Sequence, residues 1–102
     1  MQTIYFDHIS GTPIHSEVKK VMIDYINNHY GNPVSQHSLG DDASEALETG
    51  REHVAGLINA KPQEIVFTSG GTESINHAIK GVAMATHEKG KHIITSNIEH
   101  QS

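Results

Sequence analysis

A chain of 102 residues with 35% hydrophobic content can bury only a modest core. Its formal net charge of −5, without any cluster of lysine and arginine, argues against a nucleic-acid partner and against an anionic membrane surface. The absence of cysteine excludes disulfides and thiolate metal ligands, and no apolar run is long enough to span a bilayer. We therefore expect an unexported protein of the reducing cytoplasm with no membrane partner.

The first two-thirds of the chain predict one short extended segment and two helices. "TIYFD" (3–7) is rich in β-formers and ends at the turn sequence "SGTP". Beyond it, apolar residues recur at i, i+3, i+4, i+7 and i+8, which predicts a helix over about 16–28. A second amphipathic pattern predicts a helix over about 41–59, with Asp41 and Asp42 where the helix dipole favours anions.

The last third of the chain predicts a strand, a helix and a second strand. "EIVFTS" (64–69) is short and apolar without clean alternation, which is typical of a strand covered on both faces. "TESINHAIKGVAMATHEKG" (72–90) has helical spacing and leaves the helix near Lys89 and Gly90, and "KHIITS" (91–96) is again β-forming. The predicted fold class is therefore α/β: two helices followed by the first right-handed βαβ unit of a mostly parallel sheet.

The turn between the first of these strands and its helix has the composition of an anion site. A helix that begins directly after a buried strand points its unpaired first-turn N–H groups and its positive dipole end at the sheet edge. Gly70 and Gly71 permit a sharp turn and close approach, and the Thr72 hydroxyl can donate one more hydrogen bond. The alternative is an ordinary tight turn in which Thr72 only caps the helix. The pattern is neither a P-loop nor a dinucleotide fingerprint.

Two other groups of polar residues point to no chemistry. The nine histidines include no H-E-x-x-H pattern and are scattered over different elements, so we predict no metal site. Glu45, Glu48 and Glu52 are spaced as the solvated face of the second helix rather than as a catalytic carboxylate pair.

Four stretches together resemble a known family. They are "YFDHISGTP" (5–13), "YGNPVSQHSLG" (30–40), "EIVFTSGGTESINHAIKG" (64–81) and "KGKHIITSNIEHQS" (89–102). In order and separation they resemble the N-terminal part of cysteine desulfurases, which are pyridoxal-phosphate (PLP) enzymes of the class V aminotransferase group with fold-type I architecture. The resemblance covers essentially the whole chain, and sister enzymes of the group share its outline.

The resemblance implies roles for three residues. Gly71 and Thr72 match the family turn that binds the PLP phosphate, and His100 matches the catalytic histidine that stacks on the pyridine ring and moves protons. The roles make chemical sense, because residues at the carboxyl ends of neighbouring parallel strands border the same crevice. Taken without the resemblance, a lone histidine at a strand end is more often a surface residue.

The resemblance also implies a domain organisation. Residues 1 to about 15 would belong to the small domain, and about 16–102 would begin the large PLP-binding domain. The family's cofactor-bearing lysine, the acid partner of the pyridine nitrogen and the sulfur-accepting cysteine have no counterpart in residues 1–102. We therefore expect an incomplete unit that is inactive by itself. His8, Ser10 and Gly11 depart from the residues common in the family, which leaves the substrate side of the site undefined.

The expected activity is that of the intact parent. It would take sulfur from L-cysteine, giving L-alanine and an enzyme persulfide for iron–sulfur cluster assembly or other sulfur transfer, as a cytoplasmic homodimer with a sulfur-acceptor or scaffold protein as partner. Two alternatives stay open: another class V aminotransferase-like PLP enzyme, and a non-catalytic piece that pairs with a complementary chain.

Overall fold

The computed structural model describes residues 3–102, and this part of the chain forms three α-helices. They are α1 (Ser16–Asn28), α2 (Ser38–Leu57) and α3 (Gly71–Ala85), with a short 3-10 turn at Pro62–Glu64. The chain divides into two compact units, Met1–Pro62 and Gln63–Ser102, so that α1 and α2 belong to the first and α3 to the second. None of the described helices has the length and apolar character needed to cross a membrane.

Helix α1 confirms the predicted bounds. The His15 ring accepts a hydrogen bond from the Glu17 N–H at 3.4 Å and so caps the first turn. Glu17 lies where the dipole favours an anion and pairs with Lys20 at 2.9 Å. His29 is the C-cap: its N–H donates to the Tyr25 carbonyl, and its ring stacks on the Tyr25 ring with the centroids 4.4 Å apart. Both ends of α1 are therefore fixed by local contacts.

Helix α2 begins at Ser38 rather than near residue 41 as predicted. The His37 ring accepts from the Gly40 N–H at 3.3 Å, so a histidine serves as the N-cap. Gly40 is buried, and a β-carbon there would overlap the Ser35 carbonyl. The preceding loop thus packs directly on the first turn of α2, and this contact requires a residue without a side chain.

The carboxyl end of α2 is a Schellman-type stop. Asn59 has a left-handed φ of 55°, and the Ala60 N–H bonds back to the Ala55 carbonyl at 2.9 Å. Ala55 is 1% exposed and is the one buried hydrophobic residue among those described. The centre of packing in this unit therefore lies at the last turn of α2.

The three segments predicted as extended or as strands are not strands in residues 3–102. Residues 3–7 lead into a turn held by local bonds, since the Tyr5 hydroxyl donates to the Asp7 and Gly11 carbonyls at 2.8 and 3.1 Å. Segments 64–69 and 91–96 lie on either side of α3 in the chain, outside its bounds. A strand exists only through a ladder of hydrogen bonds with another strand, and the described residues form no such ladder. The structure therefore does not show the predicted βαβ unit.

The predicted helix over 72–90 is present but shorter at its carboxyl end. It stops at Ala85, and Thr86 is the C-cap. The Thr86 N–H makes a last helical bond to the Val82 carbonyl at 2.9 Å, and the Thr86 hydroxyl donates to the same carbonyl at 2.7 Å. Residues beyond Thr86 continue as a turn, in which the Lys89 N–H bonds the Thr86 carbonyl at 2.8 Å. The polar stretch before Gly90 is therefore a turn rather than a last helical turn.

Candidate functional site

The turn that opens α3 has a backbone that only glycine adopts readily. Gly70 is the N-cap of the helix, with φ 159° and ψ −177°. Having no side chain, it gives the helix no side-chain cap. The reversal from segment 64–69 into α3 therefore depends on glycine at this position, as the sequence predicts.

Three backbone donors are left at this helix end. The Ser74 N–H bonds the Gly70 carbonyl at 3.1 Å, whereas the N–H groups of Gly71, Thr72 and Glu73 meet no backbone acceptor in residues 3–102. The positive end of the helix dipole coincides with them. No atom lies within 4 Å of the β-carbon position at Gly71, so a ligand can approach the backbone there. These donors fit a phosphate group.

A carboxylate already lies beside this turn. Glu73 Oε2 accepts from the Ser69 N–H at 2.6 Å and from the Ser69 hydroxyl at 2.7 Å. The Ser69 hydroxyl, then the Ser69 N–H, and more weakly the nearby His77, hold the pKa of Glu73 below its ordinary value. Glu73 is therefore ionised at neutral pH. Its carboxylate accepts hydrogen bonds from Ser69 and leaves the N–H groups of Gly71, Thr72 and Glu73 itself unused.

Hydroxyl groups fix the shape of the turn from the helix side. Thr68 Oγ1 and Ser74 Oγ lie 2.7 Å apart, and each also lies 3.2 Å from the Gly70 carbonyl oxygen. Farther along, the Asn76 side-chain amide donates to the Thr72 carbonyl at 2.9 Å. The start of α3 is thus held by Thr68 just before the helix and by Ser74 and Asn76 within its first two turns. None of these side chains bonds the three N–H groups named above.

The structure brings the predicted ring-stacking histidine to the same place. His100 Nδ1 lies 2.6 Å from the Ser102 hydroxyl, which lies 3.2 Å from the Thr72 hydroxyl. All three residues belong to the second unit, and His100 and Thr72 are exposed. Two residues that are 28 positions apart in sequence are therefore joined through one serine.

Sequence reasoning missed Ser102 and Glu73. A serine two positions after a histidine matches no motif, and only the folded backbone places its hydroxyl beside Thr72. Glu73 is the third residue of α3, a position from which a glutamate side chain can reach back to a backbone N–H at the start of the helix, and this was the one signal for it in the sequence.

Other predicted features stay outside this site. In the part of the chain that is described, no three His, Asp or Glu side chains come together as a metal-binding group. His87 and His92 line an apolar cleft with Ile79 and Val82 of α3, well along the helix from Gly71.

Comparison with known proteins then defines the class. The Aminotransferase class-V family model matches residues 4–102, and the chain belongs to this family. Within the family it is similar to proteins named cysteine desulfurase IscS. It is 50% identical over 99 residues to that of Dictyoglomus turgidum, 53% over 102 residues to that of Pseudomonas putida, and 45% over 101 residues to that of Methanosarcina thermophila.

These relatives are longer than the present chain. The matches cover 97–99% of this chain but 25% of each relative. A solved structure titled NifS-like protein superposes with a TM-score of 0.89 at 40% identity, covering 98% of this chain and 28% of the other. The described residues therefore share the fold of the corresponding part of the NifS-like structure, and the chain spans about a quarter of the length of the relatives that it matches.

Proposed function

We propose that this chain is the N-terminal part of a PLP-dependent cysteine desulfurase. The observation that carries the proposal is the Thr72–Ser102–His100 connection at the amide-rich start of α3, in a chain about half identical to proteins of that name. The reaction would convert L-cysteine and an enzyme thiol into L-alanine and an enzyme persulfide. The sulfur atom moves to the thiol, and no outside oxidant is needed.

The cofactor phosphate would lie at the start of α3. The N–H groups of Gly71, Thr72 and Glu73, together with the Thr72 hydroxyl, provide convergent donors for a doubly charged anion. When bound, PLP would supply the electron sink that the chemistry at the amino-acid carbons requires. The ionised Glu73 beside the turn repels the phosphate, so the hydrogen bonds from the backbone N–H groups must be stronger than this repulsion.

His100 would cover one face of the cofactor ring and carry protons. An imidazole combines a flat surface with a proton that it can accept or donate near neutral pH. The Thr72 link through Ser102 supports this role, because it keeps the imidazole beside the turn that would hold the phosphate.

The rest of the whole protein would complete the fold around this unit. We propose that 64–69 and 91–96 become parallel strands of one sheet joined by α3, with about 1–15 belonging to the small domain and about 16–102 to the large one. Clefts along α3 support the pairing, since Val66 lines one with Ala78 and Ile93 lines another with Ile79.

Partners and compartment follow from the same proposal. L-cysteine would be the substrate, the enzyme a cytoplasmic homodimer, and a sulfur-acceptor or scaffold protein the recipient of sulfur. The relatives' name supports the substrate alone. The rival substrate class, another amino acid handled by a sister enzyme, is an outcome of the experiment below.

The test uses the complete gene product loaded with PLP. We expect stoichiometric alanine and persulfide from L-cysteine. Thr72→Val should weaken PLP binding roughly 10- to 100-fold, since a hydrogen bond to a charged group contributes about 1.5–3 kcal/mol. Thr86→Val, at the other end of α3, serves as the control and should leave affinity unchanged. Turnover of another amino acid but not of cysteine, or equal affinity for both variants, would contradict the proposal.

A further inference from the structure

Ser102 is the residue at which the two halves of the candidate site meet. Its hydroxyl oxygen lies 2.6 Å from His100 Nδ1 and 3.2 Å from Thr72 Oγ1, and its backbone N–H lies 3.2 Å from the same Nδ1. It is half-buried, whereas Thr72 and His100 are exposed. A single side chain therefore touches both the turn and the imidazole.

The backbone contact fixes the direction of every proton in this chain of bonds. A backbone N–H can only donate, so His100 Nδ1 must be an acceptor without a proton. The Ser102 hydroxyl must then donate to Nδ1, and its oxygen accepts from the Thr72 hydroxyl. The neutral ring accordingly carries its proton on Nε2, and the Thr72 proton points at Ser102 rather than away from the helix.

A bound phosphate is incompatible with that direction. Phosphate oxygens accept hydrogen bonds, so Thr72 must turn its proton toward the anion. The oxygens of Thr72 and Ser102 would then face each other without a proton between them. This conflict between the two oxygens disappears when Ser102 donates to Thr72 and accepts from a protonated Nδ1 of His100. The Ser102 backbone N–H cannot bond a protonated nitrogen, so in this state it gives up its bond to Nδ1 and turns to solvent.

We propose that Ser102 is a positioning residue that makes occupancy of the Gly71–Thr72 turn decide which nitrogen of His100 carries the proton. An anion at the turn moves the neutral ring from the Nε2–H to the Nδ1–H form. One proton leaves Nε2 for solvent and one is taken up at Nδ1, so the ring charge does not change. The proposal rests on the proposed phosphate site.

The test is nitrogen-15 NMR of the histidine rings in the complete gene product without cofactor, titrated with inorganic phosphate. The amide signals of Gly71 and Thr72 report occupancy, and the His100 ring signals are identified by their loss in His100→Gln. We expect an unprotonated Nδ1 and a protonated Nε2 without phosphate, and the reverse pattern at saturation.

Variants of Ser102 separate coupling from binding. Ser102→Ala should keep the amide response to phosphate but lose the change in the ring, and Ser102→Thr, which keeps a hydroxyl, should restore it. If the protonation of the His100 ring nitrogens stays unchanged while the amide signals of Gly71 and Thr72 respond to phosphate, the coupling is overturned and the phosphate site is supported. A ring change in Ser102→Ala equal to that of the unaltered protein also overturns it. Absence of any amide response counts against the phosphate site itself, and the coupling falls with it.

Discussion

At the scale of single residues, Glu73 is a charge built into the proposed anion site. Its hydrogen bonds from Ser69 form only in the folded turn and lower its pKa from the ordinary value of 4.5. A carboxylate whose pKa is lower in the folded state stabilises the fold above its unfolded-state pKa, and this contribution disappears as the pH falls through the folded-state value. The start of α3 should therefore loosen only in acid.

We predict that the Ser69 amide proton signal titrates with a midpoint below 4.5, since it reports directly on the Glu73 carboxylate. Glu73→Gln should abolish this titration, because the amide side chain does not ionise. Glu52→Gln, on α2, is the matched control and should leave the Ser69 titration unchanged. A midpoint at or above 4.5 in the unaltered protein would contradict the interpretation.

The sequence predicted only some residues of the site. For Gly71 and Thr72 the glycine turn left two interpretations open, an anion site and an ordinary tight turn, and the family resemblance alone favoured the first. The function of His100 came only from family resemblance, and its contact with Thr72 depends on the path of residues 97–102, which has no periodic pattern. Ser102 could not be predicted at all, since its hydrogen bonds exist only after the backbone brings distant residues together.

At the scale of elements, the helices show what local sequence signals can and cannot predict. The bounds of α1 follow from its apolar spacing and are confirmed. The start of α2 was predicted too late, because His37 is not among the usual capping residues and the acidic pair at 41 and 42 looked like a first turn. The predicted strands depend on partners, and a partner cannot be read from the segment itself.

The first turn of α2 provides a stability test. Gly40→Ala should lower the free energy of unfolding by about 2 kcal/mol, because the new methyl group overlaps the Ser35 carbonyl. Gly56→Ala in the same helix has open space around it and should raise that free energy by about 0.5–1 kcal/mol. Urea unfolding of the complete gene product, followed by helical circular dichroism, measures both. Equal effects would show that the loop does not pack on Gly40.

The end of α2 gives a second test. Asn59 holds a left-handed backbone, so Asn59→Ala should cost about 1 kcal/mol of unfolding free energy. Asn59→Gly should match or exceed the stability of the unaltered chain, because glycine adopts this conformation without strain. The same urea experiment measures both variants. An alanine variant as stable as the glycine variant would contradict a left-handed backbone conformation at Asn59.

At the scale of the whole molecule, the apolar faces of the described helices are largely exposed. Val21 and Ile26 of α1 are 57% and 76% exposed, and Ile79 and Val82 of α3 are 50% and 63% exposed. Little apolar area is removed from water, so burial contributes little to the stability of these 102 residues by themselves. In the proposed whole protein, the remaining residues would cover these faces.

We therefore predict that the isolated 102-residue chain shows weak amide protection in hydrogen exchange, with the slowest exchange near Ala55. Given PLP and L-cysteine, it should form no alanine catalytically. The complete gene product under the same conditions is the control. A cooperative unfolding transition with uniform protection, or alanine formation by the isolated chain, would identify an independent module instead.

The paired glycines before α3 offer a way to separate two kinds of damage. Position 70 is constrained by its own backbone torsion, whereas position 71 has vacant space around it and an ordinary helical role. Gly70→Ala should destabilise the turn whether or not a ligand is bound. Gly71→Ala should leave the turn folded and should weaken only the binding of a ligand that comes close to the backbone. Comparing Gly70→Ala with Gly71→Ala would therefore distinguish a turn that fails to fold from a turn that folds but no longer binds a coenzyme.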